Sequence, residues 1–208
     1  FCLAGGTVPD MVQKKGTVSV ESGAVSGSCT VEGGELRLSG GTVAQMIQRG
    51  GSTDINGGII NTGCQVEGGE LRVSGGTVLG LTQKGGVLAM NGGTVSSSCQ
   101  VEGGTFRMMD GTLTGIVQKE GTVRISGGTV TNGCTMEGGR LELSGGLLRA
   151  GSAEAALTVK TGGAAHSAAA PVVTAENADV HITGGSLVGD GKDKYALYAE
   201  NGTAMVAD

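Results

Sequence analysis

Five cysteines, two histidines and 19 acidic residues are the groups in this 208-residue chain that could serve as nucleophiles, metal ligands or general acids and bases. Four of the cysteines, Cys29, Cys64, Cys99 and Cys134, recur every 35 residues. A structural zinc would draw its thiolates from closely spaced Cys-x-x-Cys or Cys-x-x-His pairs. The chain has neither, and both His166 and His181 lie beyond the last cysteine. For nucleophilic catalysis there is no Gly-x-Ser-x-Gly, and no repeat cysteine shares its repeat with a histidine. Glu32, Glu67, Glu102 and Glu137 could be paired as glycosidase carboxylates, but Arg49, Lys84 and Lys119 interpose between them at regular spacing. We therefore expect no catalytic residue, no metal site and no cofactor, and expect the chain not to be an enzyme.

The elements that hold these residues follow from the period. Units 12 to 46, 47 to 81, 82 to 116 and 117 to 151 align without gaps, and each divides into similar coils of 18 and 17 residues. Within a coil an apolar-x-apolar triplet, a Gly-Gly, an x-apolar-x-apolar piece, a second Gly-Gly and Thr-Val follow one another. Short alternation bounded by Gly pairs reads as short strands joined by tight corners. A coil this small cannot bury its own apolar side chains, but parallel stacking on its neighbours does. The expected fold is all-β, a parallel β-helix (β-solenoid) of stacked 17/18-residue coils, each with about three short strands. At about 4.8 Å per coil, roughly eleven coils make a rod on the order of 50 Å long. Residues 1–151 carry the regular two-coil repeats, and residues 152–208 continue the same solenoid less regularly, with an inserted loop near 189–195. Phe1 falls in mid-coil, which reads as the start of a piece cut from a longer protein, with an atypical cap as the alternative.

Alternation assigns the inward columns. Val18, Leu36, Thr53, Leu71, Leu88, Phe106, Val123 and Leu141 form one, and Val20, Leu38, Ile55, Val73, Met90, Met108, Ile125 and Leu143 the next. A third runs Val25, Val43, Ile60, Val78, Val95, Leu113, Val130, Leu148. The four cysteines alternate with Met11, Met46, Leu81 and Ile116 in a fourth, so successive cysteines stand about 9.6 Å apart, beyond the ~7 Å Cα separation a disulfide tolerates. They are expected to be small buried hydrophobes, with Cys2 outward. Gln13, Gln48, Gln83 and Gln118 share a column with Val31, Val66, Val101 and Met136. If the longer coil keeps strand parity they point inward and must bond corner backbone. If it shifts parity they form an outward stripe; the inward case is the working expectation.

Lys14, Glu32, Arg49, Glu67, Lys84, Glu102, Lys119 and Glu137 alternate in sign along an outward column. This charge ladder favours in-register stacking over a one-coil slip, and Arg37, Asp54 and Arg72 suggest a second one. Binding residues are expected where the template breaks, at Asp190, Lys192 and Asp193 with Tyr195 and Tyr198, because loops on a rigid scaffold concentrate recognition.

Composition supports this frame. With 43 Gly but only 2 Pro, a collagen helix is excluded, and 38% hydrophobic residues exclude a disordered linker. No Trp, 2 Phe and 2 Tyr leave a narrow interior built of aliphatic ladders. A net charge of -5 without basic runs or aromatic platforms argues against nucleic acid, and no apolar stretch reaches the roughly 18 residues of a transmembrane helix.

The template Val31-Glu-Gly-Gly-Glu-Leu-Arg-Leu-Ser-Gly-Gly-Thr-Val43 is similar to the Gly-Gly repeats of bacterial surface solenoids, among them autotransporter adhesin passengers and repetitive surface proteins of gut Firmicutes. The stretches Ala178 to Gly185 and Tyr195 to Gly202 resemble the latter. The resemblance implies a non-catalytic, extracellular or cell-surface adhesin or stalk whose partners are host or bacterial surface glycans or proteins, with self-association through open edges as a further option. A carbohydrate-binding or polysaccharide-active β-helix is the alternative. Ice binding, drawn from the outward Thr42, Thr77, Thr94, Thr112 and Thr129, is a third, weakened by Ala24, Ile59 and Leu147 in the same column.

Overall fold

An extended strand makes no ladder hydrogen bonds within itself, and each strand here finds them in the equivalent strand one coil away. A computed structural model describes residues 1–149 and 152, together with the strands Leu157–Val159, Gly163–Ser167, Val173–Glu176, Asp179–Thr183, Ser186–Val188, Leu197–Glu200 and Ala204–Ala207. The described residues are all-β, and their strands join in a 24-stranded sheet whose pairings are all parallel, wound as a β-solenoid. Three faces repeat along it. The first holds Glu35–Leu38, Ser52–Ile55, Glu70–Val73 and Thr122–Ile125; the second Thr77–Val78 and Thr129–Val130; the third Met11–Gln13, Leu81–Gln83 and Cys134–Met136. In Thr17–Val31 and Val87–Val101 a single strand of 15 residues bends through two corners to cover all three faces.

The inward columns lie where alternation places them. Val18 pairs with Leu36, Leu36 with Thr53 and Thr53 with Leu71, and the series continues in register through Leu88, Phe106 and Val123 to Leu141. All of these are buried, as are the Val20 and Val25 columns. Phe106 is the largest side chain fully enclosed. One coil adds only about 4.8 Å of rod, so a tube this thin fills with single aliphatic side chains and has no place for a cluster of rings.

Two glycines stand at a corner for two different reasons. A Cβ on Gly68 would lie 2.7 Å from the Arg49 carbonyl oxygen of the preceding coil, so the first glycine is required by close approach. Gly69 has φ +74°, and its Cβ would lie 2.4 Å from the Gly51 oxygen, so the second is required by conformation as well. The corner also ties coils together: the Glu67 and Gly68 amides both donate to the Gln48 carbonyl, at 2.7 and 3.3 Å.

The residue that makes one coil longer than the next sits at the third corner, before the cysteine. Val25 and Cys29 are separated by Ser26, Gly27 and Ser28, whereas Val43 and Met46, their partners in the next coil, are separated only by Ala44 and Gln45. The register shift falls between Val25 and Ser28 and is closed again by Cys29. Parity on the third face is therefore kept, and the four glutamines point inward.

Beyond Arg149 the described strands stay in the stack. Cys134–Met136 pairs with Leu157–Val159, which pairs with Val173–Glu176 and then Leu197–Glu200. No helix of the described residues is long and apolar enough to cross a membrane.

Candidate functional site

The third corner is built differently from the other two. Its outward column runs Ser28, Gln45, Gly63 in direct register, with Ser98 and Gly115 paired further along, and Gly80 lies between Gly63 and Ser98, its carbonyl accepting the Cys64 amide at 2.8 Å. Two consecutive coils thus lack a side chain here, between Gln45 on one side and Ser98 on the other. The result is a shallow depression of about 290 Å³. Gly63 and Gly80 form its floor, and Thr82 and Gln100 on the adjoining third face complete the rim. No residue lining it carries a formal charge. Thr62 is committed to the Ala44 carbonyl at 2.7 Å and Gln65 donates to Glu67. The side chains of Gln45, Thr82, Ser98 and Gln100 make no hydrogen bond among the described residues. Glycine alone does not open the notch: a Cβ on Gly115 would meet two carbonyl oxygens at 3.4 Å, whereas one on Gly80 has nothing nearer than 4.0 Å.

The same corner is pinned differently in the first coil. Asp10 Oδ1 accepts from the Ser28 amide at 2.7 Å and from Ser28 Oγ at 3.0 Å, and these two donors hold the Asp10 carboxyl below the usual carboxylate range. Asn132 Oδ1 repeats the contact with the amide and hydroxyl of Ser152, each at 2.7 Å.

Behind this corner the cysteines are buried and free of disulfides. Burial pushes the Cys29, Cys99 and Cys134 thiols up to about 12, and pushes Cys64 up further, with the neighbouring Cys29 and Cys99 adding to it. Such thiols are inert at neutral pH. Cys2 is exposed on an outward position, paired in register with Ser19.

The glutamines act as internal staples across the first corner. Gln118 Nε2 donates to the Gly121 carbonyl of its own coil and the Arg140 carbonyl of the next, both at 3.0 Å. Gln13 does the same with Gly16 and Glu35, and Gln83 with Gly86 and Thr105. Their Oε1 atoms are buried without a partner, except in Gln48, where the Thr53 hydroxyl donates to it.

Along the charged column the groups associate two by two. Lys14 and Glu32 are 3.9 Å apart, Arg49 and Glu67 3.1 Å, and Glu102 and Lys119 3.0 Å. Glu67 and Glu102 are each turned away from Lys84, which forms no ion pair among the described residues. Sequence spacing placed Glu32, Glu67 and Glu102 each between two cations, and among the described ion pairs each reaches one of them. The second column behaves differently from its expectation. Arg37 and Arg72 bond Glu35 and Glu70, two residues back on their own strands, at 2.8 Å, and not Asp54 on the coil between them. Further along, Glu142 bridges Arg124 and Arg140 at 2.7 Å each.

The loop expected to bind, with Asp190, Lys192, Asp193 and Tyr195, lies outside the described residues. Tyr198 belongs to the strand Leu197–Glu200, whose backbone pairs Tyr198 with Thr174. The threonine column is in register, as in Thr77 with Thr94 and Thr112 with Thr129. Its strands are only two residues long where Val78 and Val130 turn inward, so each offers a single outward threonine. No protein-family model, characterised protein or solved structure matches the chain.

Proposed function

We propose that this chain is a non-catalytic, cell-surface or secreted bacterial β-solenoid, acting as an adhesin or stalk. The observation that supports the reading best is the uninterrupted coil-on-coil register of Val18 to Leu141 and of Val25 to Leu148. A stack of this kind lengthens in one dimension with every repeat and offers the same outward columns along its side, which suits holding or presenting a contact at a distance. Its ion pairs are spread along ladders, and Glu142 between Arg124 and Arg140 is one of them. Burial shields the four repeat thiols from oxidants, so their lack of disulfides suits an anaerobic surface as well as a reducing cytoplasm.

The test is labelling of intact and permeabilised cells of the source organism with antibody raised against the purified rod, followed by adhesion of rod-coated beads to cell and glycan surfaces. Labelling of intact cells is the expected result. Labelling confined to permeabilised cells would overturn the surface assignment.

A further inference from the structure

The notch over Gly63 and Gly80 has the chemistry of a ligand site, and we propose that it binds a small uncharged saccharide. The inference goes beyond the surface-rod reading and shares with it only the expectation that the sugar is held and not cleaved. Three features point to this class. A charged ligand group would meet no opposite charge here, since no lining residue is ionised. The side-chain groups on offer, the amides of Gln45 and Gln100 and the hydroxyls of Thr82 and Ser98, each both donate and accept, as sugar hydroxyls do. Among the described residues they bond to none, so a ligand takes their hydrogen bonds from water without breaking any within that part of the chain. The depression of about 290 Å³ sits at the lower end of ligand-pocket sizes and is open on one side, which limits the ligand to a small saccharide or the end of a longer chain. Without an aromatic ring at the site, affinity rests on hydrogen bonds that compete with water. A Kd on the order of 1 mM follows.

Gly80 supplies the decisive variant. Its Cβ position is open and its φ is not one reserved for glycine. The equivalent short corner of the previous repeat already carries Gln45. Gly80→Gln therefore puts a side chain that the corner tolerates into the notch. The experiment is titration of the isotope-labelled full chain with glucose, galactose, mannose, N-acetylglucosamine, their neutral disaccharides and glucuronate, followed through backbone amide shifts. Saturable shifts at Gly63, Gly80, Leu81 and Ser98 with at least one neutral sugar, weakened about tenfold or more by Gly80→Gln and reduced by Gln100→Ala, are expected. Absence of saturable shifts with every sugar up to tens of millimolar would overturn the proposal. So would shifts unaffected by Gly80→Gln, or tighter binding of glucuronate than of the neutral sugars. Recovery of the bound disaccharide intact is expected, and its cleavage would overturn the non-catalytic reading while leaving the site standing. Loss of binding would leave the surface reading to the cell-labelling result.

Discussion

Thr53 is the one hydroxyl in a column otherwise made of Val, Leu and Phe, and it is completely buried. Its partner explains it. The hydroxyl donates to Gln48 Oε1, while the corresponding oxygens of Gln13, Gln83 and Gln118 have none. Five residues after each of those glutamines stands Val18, Leu88 or Val123 in place of threonine. A buried acceptor left unpaired costs about 1–3 kcal/mol. Burying a hydroxyl in an apolar site without a partner costs a similar ~1–3 kcal/mol by mutational measures. Val123→Thr brings the two deficits together, since Gln118 Oε1 supplies the acceptor that the new hydroxyl needs. It should therefore change stability by less than about 0.5 kcal/mol, or raise it. Val73→Thr, a fully buried valine in the next column with no glutamine beside it on the chain, should lose the full ~1–3 kcal/mol.

The reverse change, Thr53→Val, should cost about 1 kcal/mol by leaving Gln48 Oε1 unpaired. A cycle with Gln48→Leu should show coupling of about 1 kcal/mol between the two positions. Urea unfolding with two independent probes is the assay, because a repeat array can depart from two-state behaviour and the probes reveal it. Equal destabilisation by Val123→Thr and Val73→Thr would refute the reasoning, since it would mean that Gln118 Oε1 offers no free acceptor at that position.

Three further outcomes follow from the corners and the thiols. Gly69→Ala, at φ +74° and 2.4 Å from a carbonyl oxygen, should destabilise by about 2 kcal/mol or more, whereas Gly80→Ala should stay within about 0.5 kcal/mol, as thermal melts will show. A disulfide-exchange thiol reagent at pH 8 should modify Cys2 alone in the folded chain and all the cysteines after unfolding; because burial raises the Cys29, Cys99 and Cys134 thiols from about 9 to about 12, stability should also fall as pH rises from about 9 towards 12. Asp10, held low by Ser28, favours the folded state above the unfolded carboxylate pKa, and that contribution should vanish as pH falls through its folded value, an acid sensitivity that Asp10→Asn removes in pH-dependent unfolding.

The columns were legible because alternation and the Gly pairs are both one-dimensional signals: once Val18, Leu36 and Thr53 are set in line, every inward residue of the first face follows. Orientation of the glutamines needed one more step. Parity depends on where the extra residue of the longer coil sits, and the corners at the Gly pairs, equal in length even where Lys15, Ser22, Asp110 or Glu120 replaces the first glycine, say nothing about it. The signal lay in a shorter interval, three residues between Val25 and Cys29 against two between Val43 and Met46. The charge ladder was legible as spacing but not as pairing. Glu67 lies between Arg49 and Lys84 at equal coil distance, and the choice of Arg49 is made by side-chain geometry that no spacing encodes.

The notch was not legible, because it arises from two glycines that are stacked neighbours only once the alternating corner lengths are placed in register. It also follows from a difference among the three corners. At the first two, a Cβ on Gly68 or Gly75 would meet backbone carbonyl oxygen at well under 3 Å, although Glu120 and Asp110 stand at the equivalent positions of other coils. The third corner accommodates Ser28, Gln45, Gly63, Gly80 and Ser98 at equivalent positions. Side chains there can change from coil to coil without disturbing the stack, and a run of small ones opens a space that larger ones would close. At this position one coil differs from the next without strain on the backbone, and the difference gives a ligand a particular place to bind.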